Sequence, residues 1–226
     1  MGKGHRHEAE LCDDAPSKQA AWHQPQKKTV SASEQDPLAR LVWLTEVLKH
    51  DPKRLVFIDE SGFNIAMTPL YARAPKGHRA YGQVPKNRGE NSSLIAALSL
   101  DEGISAAMTL EGAVDGIAFG VYVREVLAPA LRPGQIVVLD NLQVHKNQAV
   151  REAIEAQGCE LLFLPSYSPD FNPIEQAFSK LKTFVRKHKA RTKSALDDAI
   201  AAALKAITLQ DVIGWFTCAG YLPHGF

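Results

Sequence analysis

The sequence predicts an α/β protein built on one mixed five-stranded sheet, three antiparallel strands followed by parallel ones, with helices flanking it. Three observations predict this. LVFID (55–59) and IVVLD (136–140) are apolar runs rich in β-formers, too short for helices and suited to buried strands. Segments 93–100 and 104–110 are strand-like and separated by Asp101, Glu102 and Gly103, a hairpin turn signal. From residue 136 onward, short apolar runs alternate with helical periods, which calls for parallel strands joined by right-handed crossovers.

Residues 1–36 are polar, rich in Lys, Gln and His, and without a sustained period, so they read as a lead-in or linker ahead of one domain over 37–226. Leu41, Leu44, Val47 and Leu48 give 38–49 the spacing of an amphipathic helix, closed by Asp51 and Pro52. The first strand, 55–59, is bounded by the turn-like pair Ser61 and Gly62. Segment 64–91 is a long loop rich in Gly, Pro, Arg and Lys, with a short strand expected over 70–73. Phe119, Tyr122, Val123, Val126 and Leu127 line one side of a helix over 116–131, stopped by Pro133 and Gly134. A strand at 136–140, a helix at 148–157, a strand at 160–164 and helices at 174–188, 194–207 and 209–219 complete the chain. This is the order of an RNase H-like sheet, in which the first and fourth strands lie side by side in the middle.

Composition narrows the function classes. With 226 residues, 45% of them hydrophobic, the chain can build a real core. It has no run of about 18 apolar residues to span a bilayer and no apolar N-terminal stretch, so a cytoplasmic protein without a membrane partner is expected. Cys12, Cys159 and Cys218 are too far apart for a metal clip and odd in number for a disulfide framework. No P-loop glycine string, GxSxG or paired Cys-His set is present, which argues against Walker-type nucleotide hydrolysis and serine or cysteine catalysis. A phosphatase using a covalent aspartate would carry a second acid two positions after Asp59, where Ser61 stands. Net charge is only +1, but 177–195 contains no acid and holds Lys180, Lys182, Arg186, Lys187, Lys189, Arg191 and Lys193.

Asp59 and Asp140 each end a buried strand, where open α/β sheets place their ligand sites. Ionised carboxylates beside an apolar core are costly unless paired or bound to metal, and oxygen donors favour a hard cation, Mg²⁺ or Mn²⁺. The third candidate ligand is Glu175, in SPDFNPIEQ (168–176). Asn172, Pro173 and Glu175 also spell a capping box, and the two roles are compatible. Helical spacing puts Glu175, Ser179, Lys182 and Arg186 on one face and Ile174, Phe178, Leu181 and Val185 on another. Lys182, Arg186 and Lys187, with Arg73 and Lys76 of the basic loop, are therefore the candidate DNA-backbone contacts. Glu60 would point to the opposite side of its strand from Asp59, in a supporting role. Asn141 and His145 follow Asp140 closely enough to bind substrate, orient a ligand, or form a helix-entry turn.

The segments FIDESGFN, VVLDNLQVHK and LPSYSPDFNPIEQAFSKLK resemble the catalytic signature of mariner-type DDE transposases, in particular the bacterial insertion-sequence branch. Thirty-four residues separate Asp140 from Glu175, the spacing of that branch. The resemblance covers roughly 28–220. It implies an RNase H-like domain in which Asp59, Asp140 and Glu175 match the metal-binding acids, holding two Mg²⁺ or Mn²⁺ ions for DNA strand cleavage and transfer in cut-and-paste transposition. It also implies element ends and target DNA as partners, and a homodimer as the active form. Family members carry helix-turn-helix modules ahead of this domain, so the lead-in leads us to expect such a polypeptide from an upstream frame. The alternative is a non-catalytic remnant that binds DNA or pairs with an active transposase.

Overall fold

A computed structural model describes residues 32–142 and 145–223. The lead-in expected over 1–36 lies, up to residue 31, outside the described residues. The sheet has the order β3-β2-β1-β4-β5. β1 (Leu55–Phe63), β2 (Ser92–Ser99) and β3 (Gly103–Glu111) pair antiparallel. β4 (Ile136–Leu139) pairs parallel to β1 and to β5 (Glu160–Phe163). The first and fourth strands are neighbours in the middle, as the sequence predicts.

Alternation along the strands sorts side chains onto two faces. Leu55, Phe57, Phe63, Leu94, Leu98 and Val138 join one core, covered by α1 (Pro37–Val47), α4 (Pro173–His188), α5 (Lys193–Lys205) and α6 (Leu209–Cys218). Val56, Ile58, Ile95, Val137 and Leu139 join the other, against α2 (Gly116–Tyr122) and α3 (Gln148–Glu155). β2 is buried at every position, which explains its continuous apolar and small-residue run.

Three expectations are corrected. β1 does not stop at Asp59; it runs through Ser61 and Gly62 to Phe63, because β2 continues to pair with it as far as Phe63↔Ser92. Pairing across the sheet thus overrides a local turn signal. No strand forms over 70–73; the segment is exposed along its length and buries no side chain that would hold it extended. The helix over 116–131 changes pitch, α2 giving way to a π turn at Val123–Leu127 and a 3-10 turn at Ala128–Ala130. Pro129 in that last turn lacks an N–H to extend an α-helical ladder.

The last helix is stitched on by charge. Thr208 and Asp211 form a capping box at the start of α6, and Lys180 of α4 donates to the same Asp211 carboxylate. Lys180 and the Thr208 donors hold the Asp211 carboxyl down at about 2. A folded-state pKa below the ordinary 3.8 stabilises the fold fully above that value, and the contribution fades as pH falls toward 2. Asp211→Ala is expected to cost about 1 kcal/mol at neutral pH. The gap from wild type should close between pH 4 and 2 in thermal melts, and a gap constant through that window would refute the linkage.

Candidate active site

The cleft forms where the parallel pairing of β1 and β4 ends. The last pair is Phe57↔Val138, so Asp59 lies two residues beyond it, and Asp140 directly follows β4. The chain leaving β5 crosses in front of both, turns once as a 3-10 helix at Pro169–Phe171 and enters α4, whose first turn carries Glu175. Asp59, Asp140, Asn141, Asn172 and Glu175 line one cleft of about 350 Å³.

The crossing segment is braced from three sides. Arg40 of α1 grips both oxygens of Asp170, at 3.0 and 2.5 Å, and stacks 4.0 Å from the Phe171 ring. That grip holds the Asp170 carboxyl below the usual carboxylate range. The Tyr221 hydroxyl donates to the Phe171 carbonyl at 2.6 Å, and Gln35 Nε2 donates to the Tyr167 carbonyl at 2.7 Å. Glu175 is thereby presented from a fixed frame.

Each acid has its own surroundings. Asp59 Oδ1 accepts from the Glu60 amide at 2.8 Å, and Oδ2 accepts from Asn172 Nδ2 at 2.9 Å. Burial, with the charges of Glu175, Glu60 and Asp140 nearby, pushes its pKa up to about 7 despite the amide bond. Asp140 Oδ1 accepts from the Leu142 amide at 3.1 Å and from His145 Nδ1 at 2.5 Å. Glu175 is exposed at the cleft.

Asn172 corrects the sequence reading. It precedes α4 in the capping position but its side chain makes no capping bond. Its Nδ2 is committed to Asp59, and its Oδ1 is buried without a partner. The capping box is therefore not formed, and Glu175 is left free of that role.

Glu60 lies on the opposite face from Asp59, as alternation requires, and there meets His145. The His145 ring is 1% exposed, packed 4.3 Å from the Phe119 ring, and reaches around the end of β4 to Asp140. Its Nε2 stands 3.5 Å from Glu60 Oε2. Both atoms lack a formed hydrogen bond, so this is an ionic contact. Burial opposes the imidazolium, but Asp140 and Glu60 outweigh it and push the pKa up to about 9. Asn141 donates to the Ser166 hydroxyl at 2.9 Å, tying the Asp140 loop to the crossing segment.

The basic stretch separates into two groups. Lys180 binds Asp211, Lys193 lies 3.4 Å from Glu111, and Arg191 donates to the carbonyls of Ile65 and Met67. Lys182, Arg186, Lys187 and Lys189 have no ion-pair partner among the described residues. Lys182 and Arg186 lie about 10 and 16 Å along the helix from Glu175 at 1.5 Å per residue. Arg73 and Lys76 lie in the exposed loop and do not line the cleft.

The donor set suits a hard cation: carboxylates crowd one cleft, one of them is raised by burial and by the like charges around it, and an orphaned amide oxygen sits beside it. No three His, Cys, Asp or Glu side chains among the described residues close on a single point. Asp59 and Asp140 each have an oxygen engaged by a neighbour.

The family described as DDE superfamily endonuclease matches residues 54–197, well over half the chain. The chain belongs to the DDE superfamily. The Tcb2 transposase of Caenorhabditis briggsae is 26% identical over 198 residues, 82% of this chain and 72% of that one. The Tcb1 transposase of the same organism is 24% identical over 186 residues, 77% of this chain and 68% of that one. In fold the chain is similar to Mos1 in a pre-cleavage transpososome, with TM-score 0.67 and 14% identity over 89% of this chain and 67% of that one. It is also similar to the catalytic domain of Mos1 mariner transposase, with TM-score 0.58 and 15% identity over 85% of this chain and 94% of that one. The RNase H-like DDE transposase catalytic domain expected from the sequence is what family, relatives and fold describe together. These relatives place the chain near mariner-like transposases; they do not support the finer bacterial branch.

Two groups of residues, one in the acidic cleft and one beside it, escape sequence reasoning. Ser166, Tyr167 and Ser168 line it beside the acids, and the string LPSYSPDFNPIE that contains them was the available signal. Lys146 and Arg151 line a second cavity of about 270 Å³ that shares Asn141 with the cleft. Lys146 closes the segment VVLDNLQVHK, which was its available signal, and nothing local marks Arg151.

Proposed function

We propose that Asp59, Asp140 and Glu175 hold two divalent cations, Mg²⁺ or Mn²⁺, for cleavage and transfer of DNA strands in cut-and-paste transposition. One observation carries the reading: three acids from distant segments of a DDE-superfamily chain line one cleft at the end of the β1–β4 pairing. Bound there, a metal pair supplies activation of the attacking oxygen and charge stabilisation of the leaving one. Solved Mos1 paired-end complexes with Mn and with Mg add support for the choice of ions.

The chain's own residues set the geometry around that chemistry. Asn172 fixes one oxygen of Asp59. His145, steadied by Glu60 and Phe119, fixes one oxygen of Asp140 and leaves the other to the cleft. Lys182, Arg186 and Lys187 on α4 bind the phosphate backbone of element ends and target, with Arg73 and Lys76 reaching DNA from the long loop. The active form is a homodimer on paired ends. Glu as third acid, 34 residues after Asp140, supports placement in the bacterial insertion-sequence branch.

Purified protein incubated with end-labelled DNA and Mn²⁺ tests the reading. Nicking that requires the metal supports it, whereas DNA binding without cleavage favours a non-catalytic remnant. Neutralising Lys182 and Arg186 together should weaken binding and lower the salt slope by roughly two. A slope equal to that of wild type would remove α4 from the interface.

A further inference from the structure

The cleft that holds the acids contains no positive charge of its own. Its twelve lining residues include three carboxylates and no Lys, Arg or His. A DNA strand entering it meets an acidic floor, so contacts at the reacting phosphate must come from metal and from uncharged groups. Three of the lining side chains are exposed and largely apolar: Leu142, after β4, and Tyr167 and Pro169, on the segment after β5, of which only Tyr167 is aromatic.

Tyr167 is the more telling. It is 58% exposed and holds a left-handed backbone conformation, φ 57. That conformation costs a residue with a Cβ roughly 1–2 kcal/mol. The other two non-glycine residues with positive φ among those described have structural reasons. Lys189 ends α4 as its left-handed cap, and Ala106 lies where the β2–β3 register slips. Tyr167 ends no helix and lies in no strand. Gly or Asn would meet the same turn with less strain, and burial does not account for the ring. Its carbonyl is nevertheless held in place by Gln35, so the conformation is braced.

We infer that Tyr167 is a stacking platform for a nucleobase of the DNA strand lying in the cleft, seating the nucleotide next to the reacting phosphate. The inference rests on the DNA-cleaving reading above and adds to it a contact to a base face. An aromatic ring suits this task because every base presents a π face, so the contact tolerates any sequence.

The test uses the full chain and a single-stranded oligonucleotide with 5-iodouracil in place of thymine, a probe that photocrosslinks to aromatic side chains lying against it. The wild-type crosslink should map to the peptide containing Tyr167. Tyr167→Gly and Tyr167→Asn, which suit the backbone, should keep the melting temperature within a few degrees, lose that crosslink and bind the oligonucleotide roughly 5- to 100-fold more weakly. Tyr167→Phe should keep both crosslink and affinity. A protein that binds and nicks DNA but crosslinks only elsewhere, or a Tyr167→Gly protein with wild-type affinity, overturns the stacking role alone. A wild-type protein that binds no DNA overturns the underlying reading and the stacking role with it.

Discussion

Asp140→Ala will leave a folded protein that binds DNA with nearly wild-type affinity and has lost cleavage by roughly a thousandfold or more. The size follows from the several kcal/mol of transition-state stabilisation that a bound metal supplies, at about 1.4 kcal/mol per tenfold in rate. Affinity survives because the proposed backbone contacts lie along α4. Asp59→Ala and Glu175→Ala should behave alike, since each removes one oxygen donor from the same cleft. A gel assay with labelled DNA and Mn²⁺, run beside a filter-binding titration, separates the two quantities. Retained nicking in Asp59→Ala would contradict the assignment.

Phe57→Ala is expected to have the largest effect on stability. Phe57 is 0% exposed in mid β1, with the Phe216 ring edge-on at 5.6 Å and the Tyr221 ring at 5.0 Å. Truncating a buried Phe costs about 3–5 kcal/mol, against a typical total of about 5–15 kcal/mol. For a domain of this size that lowers the melting temperature by roughly 10 °C. Tyr221 also braces the segment leading to Glu175, so the cavity would loosen the cleft as well as the core. Urea and thermal denaturation measure the loss, and a cost under about 1 kcal/mol would mean that α6 repacks over the gap.

Most of the sheet was legible because strand and helix periods are carried by near neighbours. LVFI and IVVL announce strands without knowledge of what they pair with. Several errors fall where distant partners intervene. Ser61 and Gly62 look like a turn until β2 pairs across them, and Asn172 looks like a cap until Asp59, 113 positions away, takes its amide. Lys180, Arg191 and Lys193 belong to an acid-free stretch in sequence and to internal contacts in space.

Near-neighbour patterns were enough for the order of elements, for Asp59 on the first strand, for Asp140 at the end of the fourth and for Glu175 at a helix start. These depend on periodicity and on turn and helix-start residues read over a few positions. Packing alone settled that His145 is buried between Asp140 and Glu60, that Asn172 serves Asp59, and which cations on α4 lack an ion-pair partner among the described residues. The physical reason is that a polar side chain's partner is set by which surfaces packing brings together. Its choice among water, a neighbouring amide and a distant carboxylate is made only when the core closes.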